Sequence, residues 1–227
     1  MLSGDKDAVA TSEQRSGWTR YLLSLMYRNK ETVTDLKAHM LNVWSVAQAN
    51  IKENFATWRR IDDPETFEEF QAMLDPAAPY IGATNMLIQI IDNARVGPTI
   101  FNMDWSVMRL RSSIPLLLSD HPLDRPLGLA DPKAYIALPI SPTTVFLAAN
   151  DPRMKDFMQT RSHDEIAQNL NLAVVSQANE YVWAEDDSQL EFVRENLGKA
   201  LVHSAITQAQ KAASLRAAAG GPDETVA

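Results

Sequence analysis

Residues 134–149 read AYIALPISPTTVFLAA: two apolar runs separated by little more than Ser141-Pro142. No other stretch restricts the fold so much. Each run is too short for a helix and is bounded by proline, serine and asparagine, the signature of buried strands. The LPISP connection cannot hold the crossover that parallel strands require, so the two runs must pair antiparallel, with Ile136 and Phe146 in the pair. IPLLL at 114–118 reads as another buried strand. Trp105 to Arg111 reads as a partner strand, and Tyr181-Val182-Trp183 as a further candidate. Trp105 and Leu117 are expected to be buried.

The texture before residue 98 is helical. Trp18, Tyr21, Leu22, Leu25 and Met26 recur at i, i+3, i+4, i+7 and i+8, and Val33, Leu36, Met40, Val43, Trp44 and Ala47 follow similar spacing. The spacing predicts helices over 13–28 and 30–53. Asp63-Pro64 reads as an N-cap acid followed by proline, ahead of Phe67, Phe70 and Leu74. A further helix is expected from Tyr80 to Arg95, with Leu87, Ile90, Ile91 and Ala94 inward and Gly97-Pro98 as its stop. Helices return after the strands. Ser162 with Glu165 and Ser188 with Glu191 have capping-box spacing, and Gly198 to Ala219 is alanine-rich.

These elements predict an α+β fold: a helical N-terminal half, a small mainly antiparallel sheet and packed C-terminal helices. The expected organisation is a disordered segment 1–11, one α+β domain over 12–218 and a disordered tail 219–227. The 227 residues suffice for a core without staples. There are no cysteines, which excludes disulfides, thiolate metal sites and cysteine nucleophiles and fits a reducing compartment. The N-terminus is polar, and no run approaches the roughly 18 apolar residues of a membrane span. A cytoplasmic location without membrane contact is expected. The formal net charge of −8 argues against broad nucleic-acid binding.

The chemistry-bearing residues are few. LLLSDHP ends an apolar run on Ser119, Asp120, His121 and Pro122. Two readings compete. In one, Asp120 and His121 transfer protons and Ser119 positions a substrate. In the other, Asp120 bonds backbone N–H groups in a turn that Pro122 closes. Neighbours in a strand point to opposite faces, so Asp120 and His121 do not pair merely by adjacency. Arg28 ends an apolar helix face; it caps the helix, binds an anion, or pairs with Asp120. Trp105 is a core residue or a stacking platform. Asn171 and Gln177 lie on or beside an apolar helix face, where amides usually satisfy backbone groups; Asn171 is also a candidate ligand contact. His39, His121, His163 and His203 lack metal-ligand spacing. Asp104, Asp120 and Glu180 form at most a weak carboxylate set for Mg²⁺, so no metal or cofactor is assigned. There is no Gly-rich phosphate loop and no G-x-S-x-G elbow.

Five stretches, in order, resemble the domain-of-unknown-function family numbered 4238. They are LLSLMYR ending in Arg28, NMDWSVM with Trp105, LLLSDHP, ALPISPTTVFL, and LNLAVVSQANEYVWAE. Together they span roughly residues 15 to 197. Members of that family usually open on a segment resembling H-x-x-P-x-x-Y-L, which this sequence lacks, so a shortened or divergent member is expected. The resemblance supplies landmarks without a mechanism. Three readings follow as expectations: a hydrolase of phosphodiesterase type with its site at the Ser-Asp-His-Pro strand end, a non-catalytic binding or regulatory module, or a degenerate member that retains only the fold.

Overall fold

The computed structural model describes residues 11–92, 96–200 and 208–220. The elements run α1 (Ser12–Tyr27), α2 (Lys30–Trp58), α3 (Phe67–Met73), α4 (Ala78–Ile91) and α5 (Val96–Asn102). Then come β1 (Asp104–Arg109), β2 (Leu118–Ser119), β3 (Tyr135–Ser141), β4 (Thr144–Ala149), α6 (Arg153–Gln159) and α7 (His163–Gln177). The chain continues with β5 (Val182–Trp183), α8 (Leu190–Asn196) and α9 (Gln208–Ala218). This is the expected α+β class. The expected disordered ends, and the start of the Gly198–Ala219 helix at 201–207, lie largely outside the described residues. Among the described residues, no helix is long and apolar enough to cross a membrane.

Contacts gather the chain into two compact units, Met1–Asn29 with Ile91–Val202, and Lys30–Ile90 with His203–Ala227. The first holds both sheets. β3 and β4 form the antiparallel hairpin, with Ile136 opposite Ala148 and Leu138 opposite Phe146. β1 pairs with the other edge of β4, placing Trp105 opposite Ala148. Alternation sends successive side chains to opposite faces. Ile136, Leu138, Phe146 and Ala148 pack with Leu22, Leu23 and Met26 of α1. Ala137, Val145 and Leu147 pack with Ile166, Leu170 and Val174 of α7. The unit is therefore three layers, α1, sheet and α7, and the hairpin is buried on both sides.

In the second unit, Leu36 of α2 packs against Ala83 of α4 with Met40, Met86 and Leu87 around them. A Cβ at Gly82 would come 3.1 Å from the Met40 methyl, so this glycine permits the close approach of α4 to α2. Phe55, Phe67 and Phe70 form an aromatic cluster with centroids 5.6–6.4 Å apart. α9 lies along α2. Lys211 Nζ bonds Asp35 Oδ1 at 2.6 Å, and the His39 ring Nε2 lies 2.6 Å from Ser214 Oγ.

Several expectations need correction. The cap of α3 is Thr66, in a capping box with Glu69, while Asp63 instead accepts from Arg60 N–H. Three residues of turn separate the acid from the helix. Gly97-Pro98 does not stop a helix but sits in the first turn of α5, where proline forfeits no intrahelical bond. Ser188 does not cap α8; its N-cap is Gln189, whose side chain is engaged elsewhere, and Glu191 pairs with Arg194. Ser162 does cap α7, but Glu165 turns to Arg161 and does not complete the box. IPLLL shrinks to the two-residue strand β2. Leu117 is buried as expected, while Trp105 is only half-buried because β1 is an edge strand.

Candidate functional site

The Ser-Asp-His-Pro strand end is built against α7 and β5, about fifty residues downstream in sequence. Leu116 N–H donates to the Pro142 carbonyl at 2.8 Å, which ties the segment to the hairpin turn. The next contacts come from Asn171, which is fully buried on the apolar face of α7. Its Oδ1 accepts from Leu117 N–H at 2.8 Å, and its Nδ2 donates to the Pro115 carbonyl and to Gln189 Oε1, each at 2.9 Å. Gln189 Nε2 donates to the same Pro115 carbonyl at 2.7 Å. The two amides thus serve backbone groups that burial has removed from water. Gln177, the other amide beside this face, donates to the Ala173 carbonyl within its own helix.

β2 then pairs with β5, Leu118 opposite Trp183 and Ser119 opposite Val182. Ser119 is buried. Its hydroxyl donates to the Val174 carbonyl at 2.9 Å and accepts from His121 N–H at 3.1 Å. Val174 lies in the last turn of α7, where carbonyls lack intrahelical partners, so Ser119 caps that helix from outside. A serine hydroxyl has one proton, and this one goes to a backbone carbonyl. Asp120 completes the connection. Its Oδ1 accepts from Asn179 N–H at 3.0 Å, its Oδ2 accepts from Glu180 N–H at 2.8 Å, and its own N–H donates to the Tyr181 carbonyl at 3.2 Å. The end of α7 is closed further by Gly198, whose φ of 67° favours glycine and whose N–H reaches the Val175 carbonyl.

The expected Asp120–Arg28 ion pair does not form. Arg28 is the exposed C-cap of α1, and its backbone N–H bonds the Ser24 carbonyl. Asp120 finds its donors in the 179–180 backbone instead. Trp105 also lies apart from the strand end, on the α1 face of the larger sheet. Its Nε1 donates to the Ile100 carbonyl, its ring meets Phe146 edge-on, and the Arg15 guanidinium sits 4.1 Å from the ring centroid. Of the expected site residues, the structure brings together Ser119, Asp120, His121 and Asn171, and leaves out Arg28 and Trp105. His121 is half-buried. His163, at the start of α7, accepts from Arg111 N–H through Nδ1 at 2.6 Å. Asp104, Asp120 and Glu180 do not assemble: among the described residues, no group of three His, Asp or Glu is placed to hold a metal ion.

Two features escaped the sequence reading. One is Asp124, which makes an isolated bridge with Ala137 and accepts from the Tyr135 hydroxyl at 3.0 Å. Burial raises its carboxyl above the usual range, against the opposing effect of the Tyr135 hydrogen bond. Burial and the Asp124 carboxyl also raise the Tyr135 phenol. The only sequence signal was an acid four residues beyond Asp120. The other is the pair that Asp120 holds out. Tyr181 and Trp183 are 58% and 52% exposed, with ring centroids 6.0 Å apart and planes inclined by 23°. Their i, i+2 spacing places both on one face of the ribbon.

No curated protein and no solved structure matches the chain. A family model does: that of the protein of unknown function DUF4238 covers residues 1–188, and the chain belongs to this family.

Proposed function

We propose that the chain is a non-catalytic binding module, and that the Ser-Asp-His-Pro strand end is the clamp that presents its binding face. One observation carries this reading. Both oxygens of Asp120 are taken by the backbone N–H groups directly before a stacked, exposed aromatic pair. The contacts of Ser119 and Asn171 serve the same end, fixing the strand and the last turn of α7. Exposed stacked aromatics are costly to leave in water and suit contact with a partner. A thermal-shift screen across peptides, nucleotides, sugars and divalent metals tests the reading. Stabilisation by some class of ligand, lost in Trp183→Ser, is expected. Ligand shifts that ignore Trp183 and Tyr181 would overturn it.

A hydrolase of phosphodiesterase type is the second reading. It is favoured by Asp124, a half-buried carboxyl that accepts from the Tyr135 hydroxyl and that burial shifts upward, the direction that suits a general acid. Turnover of bis(p-nitrophenyl) phosphate with Mg²⁺ or Mn²⁺, abolished in Asp124→Asn or Asp120→Asn, would support it over the binding module. A cytoplasmic location belongs to the same proposal and is supported by the cysteine-free composition.

A further inference from the structure

Resting on the binding-module reading, we infer that the Tyr181–Trp183 face docks an arginine-bearing basic segment of a partner protein. The ribbon joins an apolar strip to a one-signed charge. Leu118, opposite Trp183 and partly exposed, extends the strip across the second strand. The two stretches that form the ribbon, 116–122 and 179–187, carry Asp120, Glu180, Glu185, Asp186 and Asp187 and contain neither lysine nor arginine. All but Asp120 are exposed. The acids flank the rings along the chain, Glu180 before Tyr181 and Glu185 to Asp187 after Trp183, so a peptide laid along β5 passes acids at both ends.

Charge decides between occupants. Nucleic-acid phosphates and anionic lipid headgroups are repelled by this surface. A second copy would bring the same carboxylates face to face. Both rings are more than half exposed, so the face is open, and a small molecule would be left largely uncovered there. A basic peptide segment covers the strip and meets the acids at its ends. Arginine suits it better than lysine, because a planar, weakly hydrated guanidinium stacks on aromatic faces while its N–H groups still reach carboxylates. The chain already uses this chemistry internally. The Arg15 guanidinium lies over Trp105 while its N–H groups donate to the Phe101 and Met103 carbonyls.

The test is calorimetric titration of the full chain with short peptides alternating Arg and Gly, Lys and Gly, or Glu and Gly, and with oligo-dT. The Arg peptide is expected to bind about two- to fivefold more tightly than the Lys peptide of equal charge. Its affinity should fall about tenfold or more in Trp183→Ser or Tyr181→Ser, and should weaken in the triple variant Glu185→Gln, Asp186→Asn, Asp187→Asn. The two ring variants are used separately, so that one serves if the other unfolds. Equal binding of Arg and Lys peptides, wild-type affinity in both ring variants, preference for oligo-dT, or no binding of the Arg peptide would each overturn the inference. If the Arg peptide fails while a ligand of another class still stabilises the chain through Trp183, the basic partner is wrong and the binding module stands.

Discussion

Asp120 is a backbone clamp, and its energetics should follow from that. Replacing it with alanine removes two charge-assisted acceptors from the N–H groups of Asn179 and Glu180. The loss resembles that of a helix cap, about 1–2 kcal/mol in denaturant melts, with faster amide exchange at 179–183. Asp120→Asn keeps one acceptor oxygen and should cost less. Arg28→Met should cost within about 0.5 kcal/mol and add to either change without coupling, since Arg28 is exposed at the C-cap of α1 while both oxygens of Asp120 are taken by the 179–180 backbone. A coupling above about 0.5 kcal/mol would mean that the two side chains meet after all. Asp124 gives a prediction of opposite sign. Its carboxyl is raised by burial, so the folded chain holds that proton above the pH at which the unfolded chain loses it, about 4. The stability linked to it is complete below that pH and is lost as pH rises through the folded value. The advantage of Asp124→Asn over the native chain should therefore grow between about pH 4 and pH 7. A difference that is flat across that range would show that the carboxylate is not desolvated.

At the scale of elements, local pattern and side-chain competition part company. The hairpin, α1 and α2 were legible because their evidence is periodic and redundant: many apolar residues at one spacing, or two runs with no room for a crossover. Helix starts were less so. Asp63 and Ser188 have the right chemistry for caps, but Asp63 bonds Arg60 N–H, and Ser188 lies one residue too early for α8. One alternative hydrogen bond within a turn is enough to move a helix start, and spacing alone does not reveal it. The contact between α2 and α9 was not legible, because its polar members are about 175 residues apart. It should be pH-dependent. Burial, then Lys211, lowers the His39 imidazole, and Asp35 opposes them. A lowered value means that the unfolded chain takes up the proton first. The stability linked to neutral His39 is present above about pH 6.5 and is lost as pH falls below it. Amide protection of α9 should fall between about pH 7 and pH 5, and His39→Gln should flatten that dependence. Unchanged α9 protection in the native chain over this interval would show that His39 does not govern the contact.

Across the whole chain, the sequence located the motifs but not their interlock. Ser119, Asp120 and Asn171 stood out singly, as chemically capable residues in apolar settings. That Asn171 holds the backbone before β2, Ser119 caps α7 and Asp120 secures β5 depends on the sheet bringing positions fifty residues apart into register. Only tertiary structure supplies that. The same sheet orders the cost of mutation. β4 is the middle strand of β1-β4-β3 and is covered by α1 on one face and α7 on the other. Phe146 sits on the α1 face, buried, with Trp18 and Trp105 edge-on to it at 5.4 and 5.3 Å. Val107 lies directly opposite on the edge strand β1, yet is 48% exposed. The two residues share a cross-strand pair and differ in what covers them. Phe146→Ala empties a site whose neighbours are held by two other elements and so cannot collapse freely, and it should cost about 3–5 kcal/mol. Val107→Ala should cost under about 1 kcal/mol, since about half of its surface stays in water in the folded chain. Denaturant melts of the two single variants measure the contrast. Comparable losses would mean that β1 is covered as fully as β4 and is not an exposed edge of the sheet.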